Sequence, residues 1–93
     1  MKEIIKMFRE LFDGLNWDVS HPIDNIRLMK CAYKLAEIKQ YISFYEFVEI
    51  YFNDIFINNK EKIEKLAIQF ECYFFAYYEL FNGNVGAKKQ QCE

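Results

Sequence analysis

One histidine, three cysteines and a scatter of carboxylates are what this chain offers for metal binding or proton transfer. His21 stands immediately before Pro22, a position that predicts a helix cap or loop role, and a single imidazole excludes a multi-histidine metal site. Cys31, Cys72 and Cys92 form no Cys-x-x-Cys pair, which excludes a zinc knuckle, and their odd number argues against a disulfide framework. Cys31 and Cys72 fall within helical patterns, where a buried thiol acts as a small hydrophobe. Cys92, in a polar stretch, is expected as an accessible thiol. Glu46 and Glu49 share one helical face and could pair for acid–base or metal work, but the same spacing belongs to a solvated helix stripe, the plainer expectation. Arg27, Lys30 and Lys34 step by three and four along another face, enough for a modest, salt-sensitive grip on phosphates. Glu37 continues that stripe and the net charge is −2, so a solvated face is favoured again. No glycine-rich phosphate loop occurs, and no histidine follows Arg9 or Arg27 closely enough for a helical ribonuclease pair. The chain therefore reads as a non-enzyme with no cofactor and no metal.

Recognition chemistry is better represented. Residues 41–81 hold fourteen of the eighteen aromatic residues, more than one small core needs. Large aromatics dominate both cores and interfaces, so a surplus on helical faces predicts a surface for a protein partner. The same region is acidic. Between Lys39 and Lys60 there is no Lys or Arg, while Glu46, Glu49 and Asp54 contribute −3. From Leu66 to Gly83 there is again none, and Glu71 and Glu79 contribute −2. Aromatic groups rimmed by carboxylates fit a basic protein surface.

The elements that must carry these residues follow from hydrophobic periodicity. Ninety-three residues, 53% hydrophobic and 28% charged, with one Pro and three Gly, describe one globular all-α domain. About four helices are expected, near 2–13, 22–40, 44–57 and 60–82, in a bundle over 1–85 with a flexible polar tail at 86–93. In the first, Ile4, Ile5, Phe8, Leu11, Phe12 and Leu15 recur at the helical period, and Gly14 supplies a left-handed stop. Trp17 is expected to cover one end of the core. Pro22 opens the second helix, with Ser20 or His21 as cap and Asp24 in the first turn. Ser43-x-x-Glu46 is a capping box, with Ile42 and Phe47 as its hydrophobic staple. The fourth helix, after Asn58 and Asn59, has Ile63, Leu66, Ala67, Phe70, Phe74, Tyr77 and Phe81 as its inner stripe and Gly83 as its stop.

Two expectations concern function. The interface is placed on second rows that one bundle face cannot cover: Tyr45, Phe52, Phe56, Ile68 and Phe75, with Glu49 and Glu71 at the rim. The competing expectation is that the last two helices are central and bury these residues. No secretory signal or apolar span is visible, so a cytoplasmic protein without membrane contact is expected. Its partner is read as another protein, with a homodimer or a nucleic acid held by the Arg27/Lys30/Lys34 stripe as alternatives. Phe, Tyr, Ile, Asn and Lys make up 45 of the 93 residues, a usage typical of AT-rich genomes, including those of low-GC bacteria, their phages and plasmids, and some archaeal viruses. Small helical bundles of this length include bacteriocin immunity proteins and phage-encoded inhibitors of host enzymes or of CRISPR systems. The chain resembles these in size and class, and no motif carries the likeness further. An inhibitor or regulator from a mobile element, such as an anti-CRISPR protein, is the specific expectation.

Overall fold

The computed structural model describes residues 1–18 and 20–82. The expected tail, the Gly83 stop and Cys92 lie outside these residues. Five helices follow one another: α1 (Lys2–Asp13), α2 (Pro22–Glu37), α3 (Phe44–Tyr51), α4 (Asn53–Asn58) and α5 (Lys60–Asn82). No strand occurs among the described residues. The all-α bundle is therefore as expected, with one helix more.

α2 and α5 form the most extensive helix pair. Leu28, Ala32, Leu35 and Ala36 of α2 are fully buried, as are Ile63 and Phe70 of α5. The two alanines let the helix axes approach closely. Tyr73 Oη donates to Asn25 Oδ1 at 2.8 Å, and two turns further along α2 Tyr33 meets Tyr77 and Phe81. α2 and α5 thus run parallel. α1 runs antiparallel to α2, with Glu10 and Leu11 facing Arg27 and Lys30 while Glu3 and Ile4 face Lys34 and Ile38. Phe8 sits at the centre, fully buried, with ring centroids of Phe47, Phe44, Phe70 and Phe52 at 4.6, 5.5, 6.2 and 6.5 Å. Eight of the ten phenylalanines are buried, so most of the aromatic surplus is core.

Two helix boundaries differ from the sequence pattern. α2 stops three residues early because Lys39 adopts a left-handed φ of 57°. The Gln40 N–H donates to the Leu35 carbonyl at 2.9 Å and the Lys39 N–H to that of Ala36 at 3.1 Å, a Schellman closure built without glycine. The expected helix over 44–57 breaks at Phe52, whose φ of −134° and ψ of 52° separate α3 from α4. In an unbroken helix Tyr45 and Phe56 would lie about 16 Å apart along the axis. Their rings instead make an edge contact at 5.0 Å. The break puts Phe52 against Phe12 at 5.3 Å and turns Phe56 inward.

Several local signals act as expected. Ser43 Oγ accepts from the Glu46 N–H, though at a long 3.5 Å, and Ile42 and Phe47 are both buried beside that turn. His21 is the α2 cap, its Nδ1 accepting from the Ile23 N–H at 3.2 Å. The Asn59 carbonyl receives the Ile63 N–H at 2.8 Å and opens α5, while its side-chain amide donates back to Ile55. Gly14 ends α1 with φ −104°, not left-handed as expected. A Cβ there would stand 2.4 Å from the Arg27 guanidinium carbon, but this is the movable end of a long exposed side chain, so neither space nor backbone conformation demands glycine at this position.

The loop between α1 and α2 turns around Asp24. This carboxylate is fully buried and accepts from the Asn16 N–H at 2.8 Å, the Asn16 amide at 3.1 Å and the Asp18 N–H at 2.9 Å. Burial alone would push its carboxyl up, but these donors, with His21 nearby, outweigh it and hold it below its ordinary value. Between the two pinned backbone groups Trp17 takes a left-handed φ of 61° and stacks on Phe12 at 5.6 Å. Trp17 does cover an end of the core.

Candidate docking face

The outward side of α5 is where the helix meets the loop that returns from α2. Residues 64, 68, 71 and 75 step by three and four along it, so Glu64, Ile68, Glu71 and Phe75 share one face. Ile68 is 62% exposed on a helix whose opposite side is core. The Schellman turn at Lys39 swings the chain back so that Tyr41 lies over this face. Its Oη donates to Glu71 Oε2 at 2.8 Å. Its ring stacks on Phe75, with centroids 5.8 Å and planes 23° apart, and meets Phe74 edge-on at 5.5 Å. Half of Tyr41 remains in water. Desolvation, the bond to Glu71 and the charges of Glu71 and Glu46 push its phenol up to about 12, so it stays a hydrogen-bond donor at any physiological pH.

The residues expected at an interface separate into three groups. Ile68, Glu71 and Phe75 come together on this face, Ile68 exposed and the other two half-buried. Glu49 is exposed on α3, and Tyr45 is half-buried against Phe56. Phe52 and Phe56 are core residues, 6% and 3% exposed, which corrects the expectation that they lie on the surface. The break at Phe52 rotates that segment. Ile50 and Ile57, 69% and 59% exposed, face water where Phe52 and Phe56 were expected. Sequence reasoning also missed Tyr41, because it used Ile42 and Ser43 of this segment for the helix cap and gave Tyr41 no role. The signal was Ile38, Tyr41 and Ile42, three large apolar residues in a connection of six.

Charge on the face is one-sided. Glu71, and Glu46 whose charge reaches the Tyr41 phenol, have no Lys or Arg within ion-pair reach among the described residues. Beyond it, Tyr33, Tyr77 and Phe81 form a second exposed aromatic edge along the α2–α5 seam, with Tyr33 within 5.2 Å of both others. Tyr77 and Phe81 were expected inside; α5 outruns the core and leaves Phe81 39% exposed.

The basic stripe of α2 borders an open groove of about 280 Å³ against α1. Its members are engaged or opposed. Arg27 lies across Gly14 at the carboxyl end of α1, where a cation is favoured by the helix dipole. Lys34 pairs with Glu37 at 3.9 Å, and Glu10 lines the opposite bank. Cys31 forms part of the floor, its thiol pushed up to about 12 by burial and, less, by Glu10. A thiol so raised is a poor nucleophile. Among the described residues no three of His, Cys, Asp and Glu gather as metal ligands, and no helix is long and apolar enough to cross a membrane. No protein-family model matches the chain, and neither a curated protein nor a solved structure matches it.

Proposed function

We propose that the chain is a small non-enzymatic protein-binding module that inhibits or regulates its partner, of the kind a phage or other mobile element uses against host defence, an anti-CRISPR protein being one example. The observation that carries this reading is the Ile68–Phe75–Tyr41 face: exposed apolar area on a rigid helix, bordered by carboxylates. Such a module acts by occupying a surface its partner needs. It supplies no reacting group of its own.

The test compares wild type with Ile68→Lys. The variant keeps its helical circular dichroism and cooperative melting, because Ile68 contributes little to the core. Light scattering after size exclusion reads self-association, and capture from host lysate reads hetero-association. Loss of a stoichiometric partner in the variant supports the reading, and an unfolded variant overturns it. Binding to DNA and RNA across a salt series supplies the counter-test. A steep salt slope that Ile68→Lys leaves unchanged, but Lys30→Glu abolishes, would assign the function to the α2 stripe instead.

A further inference from the structure

We propose that Tyr41 and Glu71 form a socket for an arginine side chain of a different protein, whose guanidinium lies on the open side of the Tyr41 ring and pairs with Glu71. The inference rests on the docking reading above and specifies the chemistry of the partner.

Three features lead to it. The Tyr41 ring is backed by Phe74 and Phe75, so its position is fixed while its other side faces water. A fixed aromatic face is the surface on which a planar guanidinium stacks. Glu71 is oriented by the Tyr41 hydroxyl, and its carboxylate retains further acceptor capacity after that single bond. Glu46 adds negative charge to the surroundings of the same phenol without touching it. Neither carboxylate is neutralised by a Lys or Arg among the described residues. A carboxylate beside an aromatic plane suits Arg better than Lys. The guanidinium forms two parallel hydrogen bonds and stacks through its plane, whereas an ammonium is a strongly hydrated point charge.

A second copy of the chain is the poorer occupant. It has only two arginines, and each would have to leave a place on its own helices to enter the socket: Arg9 lies over the Phe52 ring at 5.4 Å, and Arg27 lies across Gly14. Nucleic acid is repelled by the same carboxylates. A basic segment of another protein is the occupant that remains.

The experiment titrates the full chain with two synthetic amphipathic peptides, identical except that every basic position is Arg in one and Lys in the other. Amide and aromatic chemical shifts report the site. The Arg peptide is expected to bind about tenfold more tightly, a difference set by bidentate pairing and stacking, with shifts centred on Tyr41, Glu71 and Phe75. Tyr41→Leu and Glu71→Gln each remove most of that preference while the melting temperature stays near wild type. Equal affinity for the two peptides, or an Arg preference that survives both substitutions, overturns the socket. If peptide binding survives both substitutions yet is lost in Ile68→Lys, the docking face stands and the arginine contact falls. If Ile68→Lys also binds normally, both readings fall together.

Discussion

Two loops of this protein solve the same problem in opposite ways. Each holds one non-glycine residue in the left-handed region, Trp17 at φ 61° and Lys39 at φ 57°, and each lies beside a hydrogen-bonded carboxylate. In the first loop the carboxylate is Asp24, fully buried and accepting three hydrogen bonds, two of them from the backbone on either side of Trp17. In the second it is Glu71, half-buried and accepting one hydrogen bond from Tyr41, while the turn itself is closed by backbone groups of α2. One carboxylate is consumed by folding. The other is placed by the fold and left with capacity to spare.

The largest effect is therefore expected at Asp24. Asp24→Ala strands the Asn16 and Asp18 N–H groups and should cost about 3 kcal/mol, given that hydrogen bonds to charged acceptors are worth roughly 1.5–3 kcal/mol. A drop of more than about 10 °C in the melting midpoint is expected for a domain of this size. A near-native midpoint would break the comparison at its root. Acid sharpens it. The Asp24 carboxyl is held below its ordinary value in the folded state, so its contribution is full above the unfolded value of about 3.9 and is lost as pH falls through the folded value. Stability measured from about pH 5 downward should fall for wild type and converge on that of Asp24→Asn. Tyr41 gives the opposite limb. Its phenol is raised to about 12, so its contribution is intact below about pH 10 and is lost as pH rises from there towards 12. Tyr41→Phe should remove that alkaline loss. If it does not, the Tyr41–Glu71 bond is not formed in solution.

Substituting glycine at the two strained residues should separate the loops in sign. Trp17→Gly relieves backbone strain but forfeits the stack on Phe12, and a net loss of about 1–2 kcal/mol is expected. Lys39→Gly relieves similar strain and gives up no packing of that kind, so a gain of about 0.5–1 kcal/mol is expected from chemical denaturation. A loss at Lys39 would mean that its side chain anchors the turn. The smallest effect belongs to Glu71→Gln, where the amide oxygen can still accept from Tyr41. Stability should change by less than about 0.5 kcal/mol. A larger loss would make Glu71 a folding residue like Asp24.

What could be read from sequence divides along the same line. α1 and α5 were legible to the residue, because an unbroken 3.6 period ran from their first turn to their last. The His21 and Ser43 caps were legible because their signals are local. Lys39 and Phe52 were not. Each ends a helix without a residue type that announces the stop; at Phe52 tertiary contact decides, since its ring belongs under Phe8 and Phe12, and at Lys39 the backbone closes the turn without glycine. Asp24 looked like an ordinary first-turn acid, since nothing in its neighbours' types announces burial. Half of the candidate face was legible, because Ile68 and Phe75 fall outside the core stripe by helical geometry. Tyr41 was hidden by the turn that delivers it, and Phe52 and Phe56 were misplaced by the break.

The parallel course of α2 and α5 bears on how the chain reaches this state. Asn25 and Tyr73 are joined across 48 residues, and the deepest row of α2 is covered by α5, not by its sequence neighbour α1. A hairpin of α1 and α2 can form early, but on its own it leaves Leu28, Ala32 and Leu35 in water. The ring cluster around Phe8 draws on α1, α3 and α5 and likewise waits for the last helix. These contacts between the first and last parts of the chain close long loops, which is expected to slow folding relative to local helix pairing. The same connectivity makes opening all-or-none. Detaching α5 uncovers both the α2 row and the Phe8 rings, so native-state hydrogen exchange is expected to show the slowest amides of α1, α2 and α5 exchanging at one common rate, that of global unfolding.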